Sequence, residues 1–253
     1  MSGPTGRVTW ILVAGAVVGL LYGLFGVGAS FATPALSFLG IPPLAAVVAP
    51  LPAFVPSSVA GAWSYARRGR VDWSLARRVM VGAVPAAIAG AALSQRVGGE
   101  ALLVLQAATL LVVGGRMLLP GLHVDAGRAL RRRASGYVVV AAVGVGFVSG
   151  LLANGGGFLL VPWFLVVLGL DMHEATGTSL LVAATLTVPT MATHVLLGGI
   201  DWYVATPFAV GVLPGALAGG WLAQHLPTGR LRVAFGVVLI GIAVSCLAGR
   251  LLG

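Results

Sequence analysis

Two glycine-rich stretches, at residues 26–30 and 153–157, interrupt otherwise apolar sequence. Each glycine costs about 1 kcal/mol relative to alanine inside a helix, so the three consecutive glycines of the second stretch predict a break in a helix. The first N–H groups of the helix that follows have no intrahelical acceptor, and they can donate to an anion. We therefore predict an anion-binding site whose backbone donors belong to Gly28, Ala29, Ser30, Gly155, Gly156 and Gly157.

Four polar side chains near these stretches are candidates for further hydrogen bonds to the anion: Ser30, Asn154, Thr178 and Ser179. The side-chain amide of Asn154 could instead cap a freed backbone group. Thr178 and Ser179 lie early in a long apolar run, where bonding back to a carbonyl of their own helix is an equally good interpretation. His194, near the far end of that run, is expected to make an interfacial hydrogen bond, with a proton relay as the alternative.

The residues expected to shape the breaks are Gly26, Pro34 and Pro162. Glycine lets the backbone leave helical geometry, and each proline follows soon after a helix restarts, where a missing N–H costs little. The alternative is that small residues only let helices pack closely. Packing is the better interpretation for two sets of small residues spaced by four: Gly211, Gly215 and Gly219, and Gly82, Ala86 and Gly90.

The composition requires an apolar solvent. Of the 253 residues, 58% are hydrophobic and 8% are charged, whereas globular domains carry about 25% charged residues. We therefore predict an all-α polytopic membrane protein. The net charge of +9 comes from arginines between apolar runs, which suits membrane topology rather than nucleic-acid binding. A chain without lysine has no Walker A motif, and no catalytic or zinc-binding set is visible, so we expect no enzyme, cofactor or metal.

Ten apolar runs predict the helices. They lie at 8–27, 31–40, 43–66, 73–95, 101–119, 136–153, 157–170, 174–197, 202–224 and 231–252. The second run of each half is short and could be a tilted span or a re-entrant half-helix. Placing both termini outside puts twelve of the fifteen arginines inside, which satisfies the positive-inside rule. We expect a first transmembrane repeat at 1–120, a basic cytoplasmic linker at 121–135 and a second repeat at 136–253.

The two halves resemble each other in sequence. A shift of 129 residues places GRVDW (69–73) on GGIDW (198–202), and a shift of 127 places GLFGVGASF on GLLANGGGF. Asp72 and Asp201 of the first pair are expected to cap helices at the membrane interface. An odd number of crossings in each half would insert the copies in opposite orientations. Because such repeats with broken helices are typical of secondary transporters, we predict two inverted-topology repeats of about five helices each.

The chain resembles the sulfite exporter TauE/SafE family of membrane permeases from about residue 15 to residue 250. The resemblance rests on GLLANGGGFLLVP, GLDMHEATGTSLL and GGIDW in the second half and on GLFGVGASF, FLGIPPLAAV and YARRGRVDW in the first. The family's glycine pattern falls on residues 153–158, with Ala153 replacing its first glycine. In the first half it falls on residues 26–31, where Ala29 and Ser30 replace its last two glycines.

The resemblance implies a secondary transporter in a bacterial inner membrane that exports a small anion such as sulfite or an organosulfonate. The site would lie between the two broken segments. The expected partners are the anion and the lipid bilayer, and a homodimer is compatible with the family. The alternatives are import of such an anion with Na⁺ or H⁺, and a membrane accessory subunit that does not transport.

Overall fold

Eleven helices make up the part of the chain that the structure describes, and that part contains no strand. This computed structural model describes residues 4–118, 135–153, 157–197 and 199–251. In chain order the helices are α1 (Pro4–Phe25), α2 (Ala29–Phe38), α3 (Pro43–Val48), α4 (Leu51–Ala66), α5 (Trp73–Val97), α6 (Gly99–Leu118), α7 (Ser135–Leu151), α8 (Gly157–Val166), α9 (Met172–Leu196), α10 (Trp202–Ala223) and α11 (Thr228–Leu251). Apart from Ser135, the predicted linker lies outside the described residues.

Among the described residues, five helical segments are long and apolar enough to cross a membrane, judged by length and composition. They are Gly6–Phe25, Pro43–Ala66, Trp73–Ser94, Met172–Leu196 and Trp202–Ala223. A helix of about 20 residues is about 30 Å long, which matches the thickness of the hydrocarbon core. The prediction of an all-α polytopic membrane protein is confirmed.

The second predicted run of each half is a short helix. Helices α2 and α8 have ten residues each, so each covers about half of the hydrocarbon core. The run predicted at 43–66 differs from the structure, because it contains two helices with Ala49 and Pro50 between them. Proline has no N–H with which to continue the first of these helices. Its carbonyl instead accepts from the Phe54 amide, at 3.3 Å, in the first turn of α4.

Aspartates cap three of the long helices at their N-termini. The Asp72 carboxylate accepts from the Leu75 amide at 2.9 Å, and that of Asp201 accepts from the Tyr203 amide at 3.0 Å. Each bond satisfies an amide that has no acceptor inside its helix. The two expected caps are therefore confirmed, and Asp171 caps α9 in the same way.

Helices α1 and α10 pack so closely that their backbones touch. A Cβ atom at Gly15 would overlap the carbonyl oxygen of Phe208, and one at Gly23 would overlap that of Ala216. Because the residue numbers rise together along both helices, α1 and α10 run parallel. The glycines of α10 that approach α1 are Gly211, Gly215 and Gly219.

Helices α5 and α7 pack in the same way. A Cβ atom at Gly82 would lie 2.6 Å from the carbonyl oxygen of Val139, and one at Gly90 would overlap that of Phe147. This pair is therefore also parallel. Small residues allow such close approach of helix backbones in membranes, and the packing interpretation of the glycines in both four-residue spacings is confirmed.

Helix α9 runs antiparallel to α4. A Cβ atom at Gly61 of α4 would lie 2.9 Å from Leu180, and one at Gly177 would lie 2.8 Å from Tyr65. Residue numbers fall along α4 as they rise along α9, so the two helices point in opposite directions.

Helix α9 runs parallel to α5. The Thr178 hydroxyl lies 3.0 Å from the Asp72 amide at the start of α5, and the Thr185 hydroxyl lies 3.7 Å from the Met80 sulfur further along. From the first contact to the second, the residue numbers rise in both helices.

Helix α9 runs antiparallel to α10. Its start lies beside the end of α10, where His173 Nε2 is 3.2 Å from the Ala223 carbonyl oxygen. Its end at Leu196 is joined to the start of α10 at Trp202 by a short connection. Helices α1 and α10 therefore share one direction with α4, whereas α5, α7 and α9 run the other way.

In the described part of the chain, the core consists of two buried hydrophobic clusters. The larger joins α1–α4 to α9, α10 and α11. The smaller lies between α5, α7, α8 and α9. Val27 and Ala153, which follow the ends of α1 and α7, both belong to the larger cluster. The chain therefore leaves helical geometry in the interior of the protein at both positions.

Candidate functional site

The first break lies between α1 and α2. Gly26 has φ +72°, a left-handed conformation that glycine adopts without steric cost. It redirects the chain at the end of α1. Gly28 is the N-cap of α2, and glycine has no side chain with which to cap the first amides of the helix. The first N–H groups of α2 therefore point away from the helix without an intrahelical acceptor, and the predicted donors of Gly28, Ala29 and Ser30 lie here.

The second break follows α7 at the matching position of the other half. Ala153, which the 127-residue shift places on Gly26, has φ +51° and is 1% exposed. A left-handed conformation costs an L-residue about 1–2 kcal/mol, so the surrounding packing must hold the turn. Helix α8 then begins at Gly157. Asn154, Gly155 and Gly156 lie outside the described residues, and their roles stay predictions.

The first break faces the hydroxyl-rich start of α9. A Cβ atom at Gly26 would lie 3.0 Å from Cγ2 of Thr176 and 3.2 Å from Oγ of Ser179. Thr176 and Ser179 have no exposed surface. The structure thus brings a break of the first half against the Gly-Thr-Ser element of the second half, which is Gly177, Thr178 and Ser179, although about 150 residues of sequence separate them.

Thr178 and Ser179 make different hydrogen bonds. The Thr178 hydroxyl accepts from the Asp72 amide at 3.0 Å and so ties α9 to the start of α5. The Ser179 hydroxyl donates to the Thr176 carbonyl of its own helix at 2.9 Å, as the back-bonding alternative predicts. A hydroxyl oxygen that donates in this way still has lone pairs. The Ser179 hydroxyl oxygen is among the atoms nearest to a Cβ at Gly26.

Pro34 lies deeper in its helix than we expected. It is the sixth residue of α2, beyond the first turn in which a missing N–H is harmless. The carbonyl four residues earlier, that of Ser30, therefore loses its intrahelical donor. Nε2 of Gln106 in α6 donates to that carbonyl oxygen at 3.0 Å. Pro162 is also the sixth residue of its helix, α8, so the expectation of harmless placement is corrected for both prolines.

Three buried polar atoms close to the first break have no hydrogen-bond partner in the described parts of the chain. They are Oγ of Ser30, Oε1 of Gln106 and Oγ1 of Thr176. These residues are at most 2% exposed. An unsatisfied buried polar group costs about 1–3 kcal/mol, so these three atoms are candidates for hydrogen bonds to a ligand.

Sequence reasoning missed Gln106 and Thr176. Gln106 is a polar residue inside the apolar run predicted at 101–119, and Thr176 directly precedes the Gly-Thr-Ser element. Either feature could have marked the residue. The sequence offered no sign, however, that Gln106 would reach Ser30, which lies on a different helix.

His194 does not make the interfacial hydrogen bond that we expected. Its side chain has no exposed surface, and neither ring nitrogen has a partner among the residues that the structure describes. The physical reason is that the face of α9 that carries His194 points into the interior, whereas Val195 and Leu196 in the same turn are exposed.

A bundle of membrane-crossing helices with two buried breaks belongs to the architecture of membrane transporters. The profile of the family described as "Sulfite exporter TauE/SafE" matches residues 11–246, and the chain belongs to this family. Groups of three or more potential metal ligands are absent from the described residues.

Several curated bacterial proteins are similar to the chain over most of its length. A "Probable membrane transporter protein" of Xylella fastidiosa (strain 9a5c) is 29% identical over 91% of each chain. The "Probable membrane transporter protein YjnA" of Bacillus subtilis (strain 168) is 25% identical over 91% of this chain and 96% of its own. No solved structure matches this chain. The protein is a multi-pass membrane transporter, and it is not an enzyme.

Proposed function

We propose that this protein is a secondary transporter that exports a small oxyanion, sulfite or an organosulfonate, across the bacterial inner membrane. The observation that carries the proposal is the first break, where uncapped α2 amides and unpartnered polar groups are buried together. Gly26 lies against Thr176 and Ser179, and the Ser30 hydroxyl has no partner among the described residues. Helix N-termini with free amides favour negative charge.

The proposed donors are neutral N–H and O–H groups from both halves. The first half would contribute the amides of Gly28, Ala29 and Ser30. The second half would contribute Asn154, the amides of Gly155, Gly156 and Gly157, and the Thr178 hydroxyl. The Ser179 hydroxyl would join them when its O–H turns from the Thr176 carbonyl to the anion. Hydrogen bonds from neutral donors to an anion are short and strong, and they bind the anion without a fixed positive charge. Such a site can also release the anion on the other side.

The directions of the helices support two inverted repeats. The first half would place α1, α4 and α5 where the second places α7, α9 and α10. In each of these three pairs the two helices run in opposite directions, as the register of the contacts requires. Inverted repeats permit alternating access when one repeat rocks or slides against the other around a fixed site.

The membrane potential would favour export. An anion that leaves a negative-inside cell gains about 2.3 kcal/mol per charge for each 100 mV. Export therefore requires no coupled cation, whereas import against the same potential does. In the proposed orientation both termini lie outside, and the loop with Arg67, Arg68 and Arg70 lies inside.

Purified protein in liposomes tests the proposal directly. Labelled sulfite and labelled sulfonates are loaded into the vesicles, and efflux is followed with and without Na⁺ and H⁺ gradients. We expect efflux by the isolated chain without either gradient. No flux of any of these anions would favour the accessory subunit, and uptake that depends on a cation gradient would favour the importer.

A matched pair of glycine substitutions tests the site. Gly26 and Gly40 have φ +72° and +73°, so leucine strains the backbone equally at both. At Gly26 the new side chain would enter the space beside Thr176 and Ser179, whereas nothing lies within 4 Å of a Cβ atom at Gly40. We expect Gly26→Leu to reduce efflux at least tenfold and Gly40→Leu to leave it near wild type. Equal efflux from both folded variants would contradict the site, and Gly156→Leu extends the test to the second break.

A further inference from the structure

Two buried polar side chains occupy matching positions in the two halves. The 129-residue shift that places GRVDW on GGIDW also places Tyr65 on His194. Tyr65 lies in the last turn of α4, which ends at Ala66, and His194 lies in the last turn of α9, which ends at Leu196. The two residues are therefore counterparts in sequence and in secondary structure.

The same backbone hydrogen bond is made to the carbonyl of each residue. The Arg70 amide donates to the Tyr65 carbonyl at 3.0 Å, and the Gly199 amide donates to the His194 carbonyl at 2.9 Å. The donors are themselves related by the same shift. The two positions are therefore alike in backbone structure as well as in sequence.

Within the described part of the chain, neither side chain makes a hydrogen bond. Tyr65 is 1% exposed and His194 is 0% exposed. The Tyr65 hydroxyl and both His194 ring nitrogens lack hydrogen bonds to any of the described residues. Phenylalanine or leucine would fill the same volume without desolvating a polar atom, so a polar group retained at both positions points to a ligand with complementary atoms.

The two residues lie at opposite ends of α9. The Tyr65 Cβ atom would be 2.8 Å from a Cβ atom at Gly177, near the start of that helix. His194 follows about 25 Å further along the helix axis, which is close to the thickness of the hydrocarbon core. Buried Thr190, Thr187 and Ser179 lie between them, at positions four, seven and fifteen residues before His194.

We propose that Tyr65 and His194 bind the transported oxyanion at the two ends of its path, each as the first donor that it meets from its own side. This inference rests on the function proposed above. A phenol O–H and an imidazole N–H each donate one hydrogen bond, which an anionic oxygen accepts. Tyr65 binds an anion that enters from the face with the loop of Arg67, Arg68 and Arg70, and His194 binds an anion that enters from the opposite face.

Transport kinetics from each face test the inference. Tyr65→Phe and His194→Phe remove the donors and keep a ring, and Tyr203→Phe, at a residue 89% exposed, is the matched control. The variants are reconstituted with known sidedness, and labelled sulfite is offered to one face at a time. Loss of a hydrogen bond to a charged ligand raises KM about tenfold or more.

We expect Tyr65→Phe to raise KM about tenfold from the arginine-loop face only, and His194→Phe to raise it from the opposite face only. His194→Gln keeps an N–H donor and should keep KM within about twofold of wild type. A merely structural role would lower the maximal rate from both faces and leave KM unchanged.

Three results would overturn the inference. They are wild-type KM from both faces in both phenylalanine variants, an equal rise from both faces, and a rise in His194→Gln as large as that in His194→Phe. If wild-type protein carries none of the labelled anions, the proposed function fails as well. That outcome is distinct, because it is seen before any variant is made.

Discussion

The hydrogen bond between Gln106 and the Ser30 carbonyl predicts that substitutions at Gln106 in α6 and Pro34 in α2 have non-additive effects on stability. Pro34 leaves that carbonyl without its normal donor, and Gln106 Nε2 supplies one at 3.0 Å. Gln106→Leu keeps a side chain of similar size but removes the donor. An unsatisfied buried carbonyl costs about 1–3 kcal/mol, and in a chain of this size each kcal/mol lowers Tm by about 2–4 °C. We expect Tm to fall by less than the roughly 2–12 °C that the carbonyl alone implies, because the variant also removes the unpartnered Oε1 of Gln106.

Restoring the missing backbone donor should remove most of this cost. Pro34→Ala returns an N–H that can donate to the Ser30 carbonyl inside α2. In that background Gln106→Leu should cost at least about 1 kcal/mol less than in wild type, which is a coupling energy typical of groups in one hydrogen-bond network. Pro85→Ala is the matched control, because Pro85 lies inside α5, whereas the Gln106 amide donates to a carbonyl of α2.

The assay is thermal unfolding of the purified protein in detergent, followed by tryptophan fluorescence for the two single variants, the double variant and the two control proteins. Gln106→Leu combined with Pro85→Ala should be additive to within about 0.5 kcal/mol. The reasoning is refuted if the combination with Pro34→Ala is additive as well, because the carbonyl of Ser30 would then not depend on both residues.

Three further predictions concern stability, each read from Tm in the same detergent. Gly146→Ala should destabilise the protein by at least about 1–3 kcal/mol, because its Cβ atom would overlap the Ala83 carbonyl oxygen. Gly144→Ala should be neutral, because nothing lies within 4 Å of a Cβ atom there. Similar losses of stability in the two variants would contradict the parallel packing of α5 and α7. Ala153→Gly should leave Tm unchanged or raise it, since relief of about 1–2 kcal/mol of left-handed strain outweighs the entropic cost of ordering glycine. A clear fall in Tm would argue against the φ of +51° at this residue. Arg70→Gln should lower the free energy of unfolding by less than about 1 kcal/mol, because Arg70 and Asp171 form their 3.7 Å ion pair with about half of each side chain exposed. A larger loss of stability would show that the pair is more important than its exposure implies.

Local patterns in the sequence were sufficient for much of the fold. Long apolar runs predict membrane-crossing helices because the bilayer requires about 20 apolar residues. Asp72 and Asp201 predict helix starts because a cap needs only the next few residues. The glycine at position 26 predicts a break for the same reason, since its left-handed φ depends on the residue itself and its neighbours.

Only the tertiary structure decided which groups meet. Gln106 reaches Ser30 and Gly26 lies against Ser179 because particular helices pack side by side, and no local pattern encodes that choice of neighbour. Packing likewise buried His194, which the sequence placed at an interface, and it assigned Thr178 to the Asp72 amide. Hydropathy and turn chemistry act over a few residues, whereas the site depends on contacts between helices that are far apart in the chain.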